Sequence, residues 1–251
     1  IAGGLVRQGG HRVHIANRGK EKRERLAEEL GVSVSEKLPE LTADDVLVLA
    51  VKPQDMQAAC QGVQTNGALV LSVAAGLSIA TLSRYLGGTR RIVRVMPNTP
   101  GKIGLGVSGM FADDSVSDQD KAAADSIMRA VGITVWLDGE ERLHDITGIS
   151  GSGPAYVFYL LDALKQAARQ QGFGEKEAHR LSLATFKGAV ALAERTGEDF
   201  AVLQQNVTSK GGTTHEAIET FKAGQVAETV VKGVAACVNR SRELAKQFEA
   251  V

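Results

Sequence analysis

Apolar and polar positions along this 251-residue chain follow two regimes, and the change comes near Leu143. Before it, short continuous apolar runs alternate with amphipathic stretches. Val46-Leu47-Val48-Leu49-Ala50-Val51 and Ala68-Leu69-Val70-Leu71-Ser72-Val73 are apolar at nearly every position, as strands covered on both faces should be. Ile92-Val93-Arg94-Val95-Met96 is a weaker third run. An earlier strand, His11 to Ala16 with Val13 and Ile15 on one face, leads into a charged helix from Lys20 to Leu30. Val107 to Phe111 and Thr134 to Leu137 extend the series, separated by a helix over Asp118 to Val131. Turns at Lys52-Pro53, Ala75-Gly76 and Pro97-Asn98-Thr99-Pro100 close the buried runs, on the side where an open parallel sheet places its ligand. The alternation predicts an α/β domain with a doubly wound sheet.

After Leu143 the period becomes helical. Pro154–Gln171, Glu175–Thr196, Asp199–Gln205, Thr214–Lys222 and Gly224–Phe248 carry small and apolar residues along one face, without a convincing strand. The expected organisation is a Rossmann-like domain over residues 1–148 and an all-α domain over residues 149–251. Ala227, Val230, Val231, Val234, Ala235 and Val238 give the last helix more apolar surface than a small monomeric bundle needs. Burial against a second subunit explains the excess, and internal packing is the alternative. At the other end, Ile1 to Gly10 reads as a helix closing at a glycine cap. The strand and Gly-rich turn that cradle a pyrophosphate in a dinucleotide unit are expected ahead of Ile1.

Composition narrows the partners. Lys and Arg number 29, and so do Asp and Glu, which gives no electrostatic reason to expect nucleic acid or an anionic membrane. No stretch approaches the roughly 18 apolar residues of a membrane span. Cys60 and Cys237 are too few and too distant for a disulfide framework, favouring a reducing, cytoplasmic compartment. His11, His14, His144, His179 and His215 show no metal-ligand spacing, so no metal is expected.

The chemistry concentrates in Leu203–Lys222, LQQNVTSKGGTTHEAIETFK. Gly211 and Gly212, flanked by the hydroxyls of Thr208, Ser209, Thr213 and Thr214, open onto a helix whose first amides have no internal partners and carry partial positive charge. Glycines let a small carboxylate approach that end closely. An ordinary capped turn is the competing reading. The run Asn206-Val207-Thr208-Ser209-Lys210-Gly211-Gly212-Thr213-Thr214, followed by Ala217, Ile218 and Phe221, resembles the signature of the pyrroline-5-carboxylate reductase family, enzymes that make proline from its cyclic imine precursor.

Further motifs carry the resemblance across the chain. Leu49–Gln54 is similar to a cofactor-side loop of that family, Arg94–Pro100 to its nicotinamide-side loop, and Ile149–Tyr156 to the start of its helical domain. The resemblance implies that Val51, Lys52 and Pro53 line the adenosine and pyrophosphate path, and that Met96, Pro97 and Asn98 approach the nicotinamide ribose. It implies too that Ser209, Gly211, Gly212, Thr213 and Thr214 hold the substrate carboxylate. A homodimer follows from the same likeness, with the substrate turn of one subunit facing the nicotinamide domain of the other, and in some members a larger ring of dimers. Lys210 departs from the family, where proline is common.

Two readings come from residue chemistry. Where an NAD enzyme commonly places an acid on the ribose 2′-hydroxyl, this chain has Asn17 and Arg18, an amide donor and a planar cation that suit the phosphate of NADP. NADPH is therefore expected over NADH, against the simpler view that Arg18, Lys20 and Arg23 form a solvated helix start. Thr214 is the candidate catalytic hydroxyl, hydrogen-bonding the imine nitrogen while a nicotinamide hydride adds to the neighbouring carbon. The rivals are a related hydroxyacid dehydrogenase, for which Ser150–Pro154 lacks the expected lysine, and an NADP-binding regulatory protein without turnover.

Overall fold

The computed structural model describes residues 1–249. They fall into two units, Ile1–Ser152 with the chain from Cys237 onward, and Gly153–Ala236. The first unit therefore runs past the expected boundary at 148/149 and takes back the last turns of the final helix. Residues 250 and 251 of the expected second domain lie outside the described residues.

The first unit opens with α1 (Ala2–Gln8), β1 (His14–Ala16), α2 (Lys20–Leu30) and β2 (Ser33–Ser35), in which β1 and β2 pair in parallel. Next come β3 (Val46–Leu49), α3 (Met56–Cys60), β4 (Leu69–Ser72), α4 (Ile79–Tyr85) and β5 (Ile92–Met96). Strands β3, β4 and β5 are parallel neighbours, as continuous apolar runs joined by helices require. Their alternate side chains enter opposite layers: Val70 and Ile92 pack with Leu47, Met56 and Leu82, whereas Leu69, Leu71 and Val93 pack with Met110, Ala124 and Met128. Each such fully buried Leu, Ile or Val stabilises the sheet by about 1.5–3 kcal/mol.

Strand β6 (Gly106–Phe111) runs antiparallel to β5, and β7 (Gly132–Trp136) parallel to β6. The difference lies in the connections. Only a 3-10 turn at Thr99–Ile103 separates β5 from β6, too short for a crossover helix, whereas α5 (Asp118–Arg129) carries the chain across from β6 to β7. Ser117 starts α5 by accepting a hydrogen bond from the Asp120 amide at 3.1 Å. After α6 (Arg142–Ile146) the backbone widens into a π turn at Thr147–Gly151.

The second unit holds α7 (Gly153–Gln170), α8 (Glu175–Thr196), α9 (Phe200–Asn206), α10 (Thr213–Ala223) and the first turns of α11 (Val226–Glu249). Its apolar stripes are largely uncovered. Among the described residues of this unit only Ala178 and Ser182 are buried, while Tyr159 is 77% exposed, Phe200 80% and Val231 69%. A helical unit with that much apolar surface in water has not completed its core.

Candidate active site

The turn between α9 and α10 leaves hydrogen-bond donors free at the start of α10. Gly212 is the N-cap residue of α10 and makes no side-chain cap. The Glu216 amide is the first to reach back, to the Gly212 carbonyl at 3.3 Å, so the amides of Thr213, Thr214 and His215 have no intrahelical acceptor. Among the described residues, the hydroxyls of Ser209, Thr213 and Thr214 have no protein hydrogen bond. Thr208 is different: its hydroxyl donates to the Gln204 carbonyl at 2.6 Å and closes the last turn of α9. The glycines are there for geometry. Gly211 takes φ 69°, and a Cβ on Gly212 would overlap the Ser209 Oγ. No hydroxyl caps this helix start, and the N-cap position is held by Gly212.

In the first unit the other expected residues follow the carboxyl ends of parallel strands. Val51, Lys52 and Pro53 leave β3 and enter a 3-10 turn at Pro53–Asp55. Met96 ends β5, and Pro97 and Asn98 follow it. Asn98 is a clamp: its Oδ1 accepts from the Val107 amide at 2.9 Å and its Nδ2 donates to the Ser150 carbonyl at 3.0 Å. That ties the loop to β6 and to the π turn. The π turn itself is closed by the Ser152 amide on the Thr147 carbonyl at 2.8 Å, and Gly151 lies so close to Met96 that a Cβ would collide with its methyl. Asn17 and Arg18 follow β1, with Arg18 exposed and the Asn17 Oδ1 accepting from the Gly19 amide at 2.9 Å.

Sequence reasoning missed a buried polar cluster beside these loops. Arg94, 7% exposed in the middle of β5, donates to Glu140 Oε1 at 2.9 Å, and the same oxygen accepts from the Ile79 amide at 2.7 Å. One carboxylate thus ties the middle of β5 to the start of α4. The signal was the charge itself, since a lone arginine inside an apolar strand needs a buried partner. Nearby, His144 Nδ1 is 2.8 Å from the Ser241 hydroxyl of α11, and burial pushes its pKa below the usual histidine value. Arg242 adds an ion pair to Asp145 at 2.9 Å. These bonds draw the last turns of α11 onto the first unit. Ala74, Ala75, Gly76, Arg94, Met96, Thr147 and His144 surround a cavity of about 10 Å³, roughly the room one water needs.

Among the described residues, no three His, Cys, Asp or Glu side chains gather as metal ligands would, and no helix is long and apolar enough to cross a membrane.

A family model described as pyrroline-5-carboxylate reductase dimerisation matches residues 140–244, and one described as NADP oxidoreductase, coenzyme F420-dependent, matches residues 1–76. A pyrroline-5-carboxylate reductase of Pseudomonas aeruginosa is 40% identical over 254 residues, spanning 99% of this chain and 93% of that protein. The chain belongs to the pyrroline-5-carboxylate reductase family. A solved pyrroline-5-carboxylate reductase from Coxiella burnetii superposes with a TM-score of 0.87 at 36% identity, covering 97% of this chain and 93% of that one. A Plasmodium falciparum pyrroline carboxylate reductase, solved with NADP bound, shares the fold at a TM-score of 0.80 and 24% identity, covering 97% and 95%. The resemblance carried by the motifs is borne out, and with it the Rossmann-like domain followed by a helical dimerisation domain.

Proposed function

We propose that this chain reduces 1-pyrroline-5-carboxylate to L-proline with NADPH, the last step of proline formation. Family membership supports the reaction, and the single observation that carries its chemistry is the uncapped N-terminus of α10. When bound, NADPH supplies the hydride that adds to the imine carbon, and the ring nitrogen carries or receives a proton. The protein's share is placement and charge.

The substrate carboxylate accepts hydrogen bonds from the free amides at Thr213 and Thr214, with the Ser209 hydroxyl beside them and the positive end of α10 behind. Gly211 and Gly212 keep that approach open. Thr214 hydrogen-bonds the ring nitrogen. Its hydroxyl holds its proton too tightly for a strong acid, so the proton comes from solvent or from an already protonated imine. Holding the imine carbon near the hydride source supplies most of the acceleration through orientation.

On the sheet unit, Val51, Lys52 and Pro53 line the adenosine and pyrophosphate path. Met96, Pro97 and the backbone of Asn98 approach the nicotinamide ribose, while the Asn98 side chain, engaged at both ends, keeps that loop in place. Asn17 and Arg18 receive the 2′-phosphate. The unfinished core of the helical unit supports a homodimer, and a ring of dimers is the larger assembly we assign to it. Two free thiols, Cys60 and Cys237, suit the cytoplasm. The test is NADPH consumption on adding the cyclic imine, with NADH as the weaker donor. A protein that works better with NADH would remove the 2′-phosphate assignment.

A further inference from the structure

Arg23 is the most enclosed cation near the turn that follows β1. Its side chain is 15% exposed, against 78% for Lys20 one turn earlier. Nη1 donates to the Asn17 carbonyl at 2.6 Å and to the Arg18 carbonyl at 2.9 Å. Nη2 lies 3.6 Å from a carboxylate oxygen of Glu36, just beyond β2. The other groups of the turn are also spoken for: the Asn17 amide donates to the Ser35 carbonyl at 3.0 Å, and the Asn17 Oδ1 accepts from the Gly19 amide at 2.9 Å.

The result is a turn sorted by polarity. Its acceptors, two backbone carbonyls and one side-chain oxygen, are engaged by the protein. What it has left to offer are donors: the Asn17 Nδ2, the exposed Arg18 guanidinium, and the first amides of α2, an 11-residue helix with no side-chain cap. Its first intrahelical bond at this end runs from the Arg23 amide to the Gly19 carbonyl at 3.1 Å. A carbonyl released from Arg23 would present a negative oxygen to any anion seated there. Lysine could not do the same work, since an ammonium is a point charge without the planar fork that holds two carbonyls at once.

We infer that Arg23 sets this chain's preference for a 2′-phosphorylated cofactor without touching it, by turning the Asn17 and Arg18 carbonyls into the protein so that neither faces the phosphate. The inference rests on the assignment of the 2′-phosphate to Asn17 and Arg18. Arg23 is a positioning residue, with its own charge facing Glu36.

Equilibrium binding of adenosine 2′,5′-bisphosphate and of adenosine 5′-monophosphate to the full chain tests this without turnover, using Arg23→Lys, Arg23→Met and Arg18→Ala. Arg23→Lys keeps the charge and the stem, and its thermal midpoint identifies a folded protein before binding is read. Both Arg23 variants should weaken the bisphosphate about 10-fold, the equivalent of one charge-assisted hydrogen bond, and leave the monophosphate nearly unchanged. Equal weakening of the two nucleotides would make Arg23 a general structural residue and overturn the inference. So would full retention of the preference in Arg23→Lys, which would mean that charge alone suffices. If Arg18→Ala loses the bisphosphate while both Arg23 variants keep it, the phosphate assignment stands and the inference falls. If Arg18→Ala changes nothing, the assignment itself is wrong and the inference falls with it.

Discussion

The Ser209 Oγ occupies the space that a Cβ on Gly212 would need. Gly212 has an ordinary extended backbone, φ −85° and ψ 174°, so its constraint is room and not conformation. Gly212→Ala must push the Ser209 hydroxyl aside, and Gly212→Val pushes further, into the space proposed for the substrate acid. The expected outcome is a rise in KM for the imine acid of about 10-fold or more, as the loss of one charged hydrogen bond of about 1.5–3 kcal/mol implies. NADPH affinity should stay as it was. Initial rates beside an NADPH fluorescence titration separate the two, and an unchanged KM would reduce the turn to a helix start.

Thr214→Val keeps the shape of the side chain and removes its hydroxyl. If that hydroxyl binds the ring nitrogen in the transition state, kcat falls by about 10- to 100-fold, with little change in NADPH binding. Steady-state kinetics decide it. Unaltered turnover would leave the hydroxyl without a catalytic part.

His144 gives the fold a pH dependence whose sign follows from its burial. Burial lowers its pKa in the folded chain, with Arg94 and Arg242 acting in the same direction and Glu141 and Asp145 opposing. The unfolded chain takes up this proton near the ordinary value of about 6.5. Below that pH the unfolded state binds more protons, so the contribution is intact above about pH 6.5 and is lost as pH falls toward the folded value. His144→Gln, which retains a polar partner for Ser241, should flatten the thermal midpoint against pH between about 7 and 5 relative to the parent. Parallel curves for the two proteins would show that His144 does not titrate on unfolding.

The central strands were legible because they are buried on both faces and therefore read as nearly continuous apolar runs, as in Ala68–Leu71. Strand β2 was not, since Ser33-Val34-Ser35 has neither the length nor the pattern. The antiparallel turn into β6 depends on the length of one connection, and apolar spacing does not record that. At the site, the Ser209–Thr214 turn stood out because its glycines and hydroxyls open directly onto a helix start and match the family signature at several positions. The Arg94–Glu140 pair and the Asn98 clamp stayed hidden for the opposite reason. Their partners lie 46 and 52 residues away along the chain, and only folding brings them together.

Uncovered apolar positions such as Phe158, Phe200 and Val231 require a partner surface. Sedimentation at micromolar concentration should give at least a dimer. Mixing an inactive Thr214 variant with a protein carrying both Asn17→Asp and Arg18→Ala should restore part of the activity in hybrids, if each site draws on two chains. A fully active monomer would overturn the assembly, and dimers without complementation would return each site to a single chain.

The central claim is hydride transfer from NADPH to the cyclic imine, and isotope tracing tests it most directly. NADPH deuterated at both C4 positions is supplied with 1-pyrroline-5-carboxylate, and the product is analysed by mass and by NMR. The account predicts L-proline carrying a single deuterium at the former imine carbon, formed in step with NADP. Proline without that label, or NADPH left unconsumed by a folded and assembled protein, would contradict it.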